Sequence, residues 1–367
     1  MEKRNKIVSI VLALVLSVVT LVGCGNAGNT ENTGAAEGSK NTENEESQVQ
    51  EKEVEGTEDK AVEKDSGEKV KIRVWFPTSP DTAPLFVAWQ EGFFEEAFEG
   101  DNVEVEPLNF ANGPAANEAF LAGELDVASC IGDQPILVGI QSGVDGVVVA
   151  RSMRSSAEGI VVPNDSDIQS VEDLKGKRIS IYIGTSYQKV LLQNLADYGL
   201  TANDVELVNI TDSNSAIAAL DNGEVDAAFI TGYPFLTAEE NGVGRVIIDG
   251  SKHANYAFLQ FSKNFYDTYP ELVEKYVKAL RKAEKFIEEN PEQAYLDISD
   301  YLKLDVEQVK KVVASNDYVL SLDDESKQDF YVTSEFMLEQ GLITKPIEKE
   351  TINTHFSDLI DNIQVDK

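Results

Sequence analysis

The sequence is poor in cysteine, histidine and basic side chains. Its 367 residues include two Cys, two His and 31 Lys or Arg, against 65 Asp or Glu. Two thiols make no disulfide framework, and two imidazoles make no His-rich zinc site. The shortage of base removes the phosphate-tracking stripe that nucleic acid requires. It equally removes docking on anionic lipid by surface charge. No G-x-x-x-x-G-K-[ST], H-E-x-x-H or G-x-S-x-G stands in the chain. Hydrophobic residues make up 42% in spite of a formal net charge of −34, so cores can be buried. The length fits one large domain or two ordinary ones.

Lys3, Arg4 and Lys6 precede Ile7 to Val22, 16 residues with almost no polarity. A spanning helix needs about 20, whereas the apolar core of a signal peptide is shorter. The run ends in Leu21-Val22-Gly23-Cys24, which resembles the lipobox of bacterial lipoproteins. The resemblance implies a signal peptide over 1–23, cleavage before Cys24 and diacylation of that cysteine. The mature chain then has 344 residues, held by lipid on the outer face of the membrane. The alternative is an uncleaved anchor, which also places the rest outside the cytoplasmic membrane. Residues 24–69 read as a disordered, acidic tether. From 25 to 69 there are 13 Asp or Glu, 5 Lys and no aromatic residue, so little can be buried. The remainder keeps a charge of −28.

A degenerate repeat organises that remainder. Ala119-Phe120-Leu121-Ala122-Gly123-Glu124-Leu125-Asp126-Val127-Ala128 is echoed one hundred residues on by Ala219-Leu220-Asp221-Asn222-Gly223-Glu224-Val225-Asp226-Ala227-Ala228. Each copy reads as helix, Gly stop, short apolar strand and a loop carrying Gly132 or Gly232 ahead of Pro135 or Pro234. Upstream, Val70 to Phe76 alternates as a strand, and Thr78-Ser79-Pro80 opens a loop before an apolar helix, Pro84 to Phe94. In the second copy Arg178 to Ile183 is a strand and Gly184-Thr185-Ser186 the loop. Tyr187, Leu191, Leu195 and Tyr198 mark one face of the helix that follows. Further strands are expected near Val103 to Leu108 and Val205 to Val208. Alternating strands and helices predict two parallel-rich α/β lobes with a cleft between them. Ligands of such sheets sit beyond the carboxyl ends of the strands. From about Phe258 the pattern turns helical, with a long amphipathic helix over Pro270 to Glu289 that reads as packing.

The loops at the strand ends are therefore the candidate site. At Gly184 to Ser186 a strand turns into a helix whose first N–H groups are unpaired, an end that favours an anion. Ordinary capping by Thr or Ser is the competing reading. Thr78 and Ser79 occupy the matching place in the first copy, and Asn112-Gly113-Pro114 opens the helix at Ala115 to Leu121. Gly132-Asp133 and Thr231-Gly232-Tyr233 end the repeated strands. Asp133 reads as a helix cap or as a receptor for an ammonium group. Trp75, Trp89, Tyr182, Tyr187 and Tyr233 are aromatic candidates, of which Tyr233 and then Tyr187 are assigned to a cleft wall. Catalytic residues and a resident metal or cofactor are not expected. Cys130 lies in an apolar strand and reads as a buried thiol, while His253 and His355 are isolated.

From residue 70 onward the chain resembles the substrate-binding proteins of ABC importers. The group concerned is the nitrate, sulfonate and taurine group, with its thiamine-pyrimidine-precursor relatives. The resemblance rests on Asn112-Gly113-Pro114, Gly123 to Val127, Val171-Glu172-Asp173-Leu174-Lys175-Gly176-Lys177, Gly184-Thr185-Ser186, Gly223 to Ala227 and Tyr233-Pro234-Phe235, in the family's order. It implies a two-lobed periplasmic-binding-protein-like fold (type II) with the ligand cleft between lobes and a helical C-terminal part. Lobe one would comprise 70–154 plus 255–367, and lobe two 155–254. It implies a monomeric binding protein, not an enzyme, that passes a small molecule to a permease and its ATPase. Family ligand positions fall on Thr78, Ser79, Asn112, Gly113, Gly132, Asp133, Thr185, Ser186 and Tyr233. Sulfonate binders often carry Ser where this chain has Asn112, and Trp near Tyr233. An aliphatic sulfonate or taurine, a pyrimidine precursor, and a synthase-like activity thus remain as three ligand or reaction classes.

Overall fold

A computed structural model describes residues 69–363. The expected signal peptide, Cys24 and nearly all of the expected tether lie outside the described residues. The first segment runs β1 (Val70–Trp75), α1 (Ala83–Gln90), α2 (Phe93–Ala97), β2 (Val103–Leu108), α3 (Gly113–Leu121), β3 (Val127–Gly132), α4 (Asp133–Ser142) and β4 (Gly146–Ser155). The second runs β5 (Glu158–Val162), β6 (Arg178–Ile181), α5 (Ser186–Ala196), β7 (Glu206–Asn209), α6 (Ser213–Asp221), β8 (Ala227–Thr231), α7 (Gly232–Leu236) and β9 (Arg245–Asp249). The chain then returns through β10 (Asn255–Ser262) into α8 (Lys263–Thr268), α9 (Pro270–Glu289), α10 (Pro291–Leu302), α11 (Val306–Ala314), the two-residue β11 (Asn316–Asp317), α12 (Asp324–Glu339), α13 (Lys349–Asn353) and α14 (Leu359–Asn362).

The strands form two sheets of matching design. One has the order β11-β4-β10-β3-β1-β2 and the other β7-β6-β8-β5-β9. In each, three strands are parallel: β2, β1 and β3 in the first, β7, β6 and β8 in the second. Next to them comes a strand delivered from the other half of the chain and running antiparallel: β10 against β3, and β5 against β8. The fold is thus two-lobed α/β. The chain crosses between sheets twice, at 156–157 and at 250–254. The crossings touch: a Cβ on Gly250 would lie 2.8 Å from the Ser156 backbone, so only glycine fits there.

Each sheet buries its own apolar faces, and the helical tail covers lobe one. The 20 residues of α9 bury Leu272, Val273, Tyr276, Val277, Leu280 and Ala283, and turn Lys and Glu to solvent. Pro270 begins that helix and Pro291 begins α10, both at positions where a missing N–H costs nothing. Tyr276 is wholly buried, and its hydroxyl is satisfied by Ser129 at 2.8 Å. Sequence and structure differ at the apolar helix expected over Pro84 to Phe94. It breaks in two at Gly92, which adopts φ +75° and lets the chain turn Phe93 and Phe94 inward. The strand expected to reach Ile183 stops at Ile181, and α3 starts at Gly113 rather than Ala115.

Candidate functional site

Between the sheets lies a cavity of about 620 Å³, lined by loops of both lobes. Lobe one contributes Trp75, Thr78, Ser79, Asp81, Asn112, Gly113, Cys130 and Gly132. Lobe two contributes Tyr182, Thr185, Ser186, Tyr187, Asp212, Ser213, Gly232 and Tyr233. Asn255 lines it from the return crossing, and Gln308 and Val312 from α11. Every residue carried over from the resemblance among the described residues is here except Asp133.

The helix starts differ in a way that matters for charge. Asn112 caps α3 by accepting from the Ala115 N–H at 3.1 Å. Asp212, its counterpart one hundred residues on, caps α6 by accepting from Ser215 at 2.8 Å. Thr185 heads α5 but does not cap it; its hydroxyl donates to the Tyr182 carbonyl at 2.7 Å. The first N–H groups of α5 are thereby left without a side-chain acceptor. An eleven-residue helix then presents the positive end of its dipole to the cavity. Ser186 adds a hydroxyl so close to the opposite lobe that a Cβ on Gly132 would lie 2.0 Å from its Oγ.

Aromatic rings form a second surface. Tyr182 and Tyr187 meet edge to face at 5.4 Å, and the Tyr182 hydroxyl bonds Ser213 at 2.9 Å. Trp75 donates its indole N–H to Phe110 at 3.1 Å. Trp89 instead packs on Phe76 and is absent from the cavity lining. Across the lobes Lys311 lies over the Tyr233 ring at 5.9 Å while pairing with Glu240 at 3.0 Å.

Asp133 went elsewhere for a clear physical reason. It is fully buried, as is the side chain of Lys189, whose ammonium it binds. Thr333 donates to the same carboxylate at 2.6 Å, and Asp329 reaches Lys189 at 3.2 Å. Burial alone would push the Asp133 carboxyl up; Lys189 outweighs it and holds the group below its ordinary value. Asp329, half-buried and less fully compensated, rises to about 7. Asp133 thus does receive an ammonium, that of its own chain, and joins α4 and α12 of lobe one to α5 of lobe two.

The thiol in the cavity does not have the character of a nucleophile. Cys130 is half-buried and lines the wall, not sealed in the core as its apolar strand predicted. Burial, then the Asp81 charge, pushes its thiol up to about 12, away from the reactive thiolate. His253 pairs with Asp197 at 2.7 Å, and the His355 Nδ1 meets the Gly146 carbonyl at 2.7 Å; neither lines the cavity. Among the described residues no group of His, Cys, Asp or Glu is arranged to hold a metal ion, and no helix is long and apolar enough to cross a membrane.

The sequence reading missed Asp81, Asp212, Ser213 and Asn255. Asp212 was discoverable, because the offset of one hundred maps it onto Asn112. Asp81 and Asn255 carry no such signal; one sits in a single 3-10 turn, Pro80–Thr82, capped by Ser79, the other at the start of β10.

Comparison with known proteins agrees with this geometry. A family model described as NMT1/THI5 like matches residues 79–294. A protein of Bacillus subtilis (strain 168), provisionally named an aliphatic sulfonates-binding protein, is 31% identical over 282 residues, covering 75% of this chain and 83% of that protein. A Haemophilus influenzae protein, provisionally named for thiamine biosynthesis, is 27% identical over 297 residues, 76% of this chain and 90% of its own length. Among solved structures, the alkanesulfonate-binding protein SsuA from Xanthomonas axonopodis pv. citri, bound to MOPS, superposes with a TM-score of 0.69 at 23% identity. The match covers 79% of this chain and 99% of that one.

Proposed function

Taking as premise that the chain belongs to the NMT1/THI5-like family, we propose that it is the extracytoplasmic solute-binding subunit of an ABC importer. It captures a small organic ligand of the sulfonate class and hands it to a permease driven by its ATPase. One observation carries the reading. A cavity of about 620 Å³ between two lobes is met by an uncapped helix start and by the hydroxyl of Ser186. That size is typical of small-molecule sites. A tetrahedral anionic head group suits amide and hydroxyl donors, while the wall of Trp75, Tyr182, Tyr187 and Tyr233 suits the organic remainder.

The names of the Bacillus subtilis and Xanthomonas proteins favour the same ligand class. Ligand contacts are assigned to Thr78, Ser79, Asn112, Gly113, Gly132, Thr185, Ser186 and Tyr233. Lobe one is assigned to 70–154 plus 255–367 and lobe two to 155–254. The protein acts as a monomer, tethered through lipid on Cys24, and performs no chemistry on its cargo. The high thiol value of Cys130 and the remote histidines support that last point.

A second reading, a pyrimidine or thiamine precursor stacked on Tyr182, Tyr187 and Tyr233, draws on the aromatic wall and on the Haemophilus relative's name. Melting shifts decide between them. Protein freed of copurified ligand is screened against taurine, alkanesulfonates, nitrate, bicarbonate and pyrimidine precursors. Saturation at a hundredfold over Kd adds about 2.7 kcal/mol. Shifts with sulfonates support the first reading, shifts confined to heteroaromatics replace it with the second, and turnover of any compound refutes a pure binding role.

A further inference from the structure

The cavity holds carboxylates and no base. None of its lining residues is Lys, Arg or His, whereas Asp81 and Asp212 both belong to it. The two acids are not equivalent. Asp212 is exposed and engaged in capping α6. Asp81 is half-buried, accepts from the Ser79 hydroxyl at 2.5 Å and from the Asn316 amide at 3.0 Å. It takes part in none of the ion pairs among the described residues. Its two neutral donors fix its orientation and leave the negative charge uncompensated.

A further acceptor lines the same cavity: Asn255 is only 4% exposed, yet its Oδ1 has no hydrogen-bond partner among the described residues. A buried acceptor left unmatched costs stability. A solute bringing N–H donors would meet that need and the Asp81 charge together. The field of Asp81 reaches the same wall: after burial, it is the next cause raising the Cys130 thiol and the Tyr187 hydroxyl.

Resting on the sulfonate reading above, we infer that Asp81 is the specificity-determining residue for a cationic group, so that the natural cargo is a zwitterion whose ammonium faces Asp81 while its anionic head faces the start of α5. A plain alkanesulfonate would fill only one pole and bring a second negative charge beside an unpaired carboxylate. An aminosulfonate fills both poles and cancels the charge.

The test is titration calorimetry on the full chain in mild detergent, cleared of copurified ligand, with taurine, ethanesulfonate and ethanolamine as probes. Ethanesulfonate lacks only the ammonium, and ethanolamine lacks the sulfonate. The wild type is expected to bind taurine at least tenfold tighter than ethanesulfonate. D81N should erase that ratio by weakening taurine, leaving ethanesulfonate unchanged or tighter. Equal or tighter binding of ethanesulfonate by the wild type overturns the inference, even if D81N does not fold. Equal weakening of both sulfonates in D81N also overturns it, because a merely structural role would move both. If neither sulfonate binds, the sulfonate reading fails. The Asp81 assignment then survives only if ethanolamine binds the wild type and not D81N, and falls if it binds neither.

Discussion

In lobe one Arg73 closes on Asp126: its backbone N–H and Nε reach one carboxylate oxygen at 2.9 and 2.8 Å, and Nη2 reaches the other at 2.7 Å. In lobe two Arg178 closes on Asp226 with the same three contacts, at 2.8, 3.1 and 2.8 Å. Both arginines also hold the carbonyl of the preceding glycine, Gly123 or Gly223. The repeated Gly-Glu-x-Asp is therefore a clamp. It fixes the start of β3 against β1 and the start of β8 against β6. The surroundings differ. The Asp126 side chain is 8% exposed and that of Asp226 is 32% exposed. The helical tail that packs on lobe one has no counterpart on lobe two. One motif thus does the same geometric job in two solvents, and its energetic weight should follow its burial.

The largest effect should come from cutting the connection between the halves. Lys189→Met leaves Asp133 and Asp329 facing each other without a cation. Breaking a buried pair in this way costs about 3–5 kcal/mol, a drop in Tm of roughly ten degrees for a protein of this size. The loss should shrink at pH 5.5, where Asp329 takes a proton. A fall in Tm that is the same at pH 5.5 and pH 8 would contradict the charge network.

The clamps come next, and they test the comparison directly. Asp126→Asn removes a charged partner from a mostly buried site and is expected to cost about 2 kcal/mol. Asp226→Asn, at a site a third open to water, should cost less than about 1 kcal/mol. Urea denaturation of the two variants measures both. Equal costs would mean that burial does not set the weight of the motif.

A smaller effect is expected from pH at the crossings. Glu158, the first residue of β5, is 1% exposed and accepts from the Asn255 N–H at 3.1 Å, joining the two crossings. Burial, opposed by bonds from Ser155 and Asn255, pushes its carboxyl from 4.5 up to about 8. Its raised value means that its contribution to stability is complete below about pH 4.5 and is lost as pH rises through 8. Melting curves from pH 5 to 9 should show this loss in the wild type and a flatter profile in Glu158→Gln. The remaining slope includes Glu284, half-buried and raised to about 8, Asp329 at about 7 and Asp297 at about 6.

Ser186→Ala should affect stability least. It removes a hydroxyl at the cavity wall, so Tm should move by no more than about 0.5 kcal/mol equivalent. Ligand affinity should nevertheless fall in calorimetry. A stability loss as large as that of Asp126→Asn would make Ser186 a packing residue instead.

The amino-acid sequence by itself determined the repeat, the strands and helices of its two copies, most of the loops that line the cavity and the extent of α9, whereas β4, β5, β9 and β10 carried no expectation. Those are local facts, written in alternation, in 3.6-residue periodicity and in Gly and Pro positions. It also carried Asp126 and Asp226 without revealing their purpose, because Arg73 and Arg178 lie some fifty residues away. Only the tertiary structure decided where Asp133 points. A carboxylate and an ammonium 56 residues apart in sequence find each other when α4 and α5 pack, and two buried charges cannot remain unpaired. Tertiary structure likewise decided that Thr185 leaves α5 uncapped, and that Asp81 stands unpaired among neutral donors. Asp133 and Asp81 depend on Lys189 and Asn316 arriving from distant segments, and Thr185 on how its loop folds back on the Tyr182 carbonyl; no pattern along the chain encodes either.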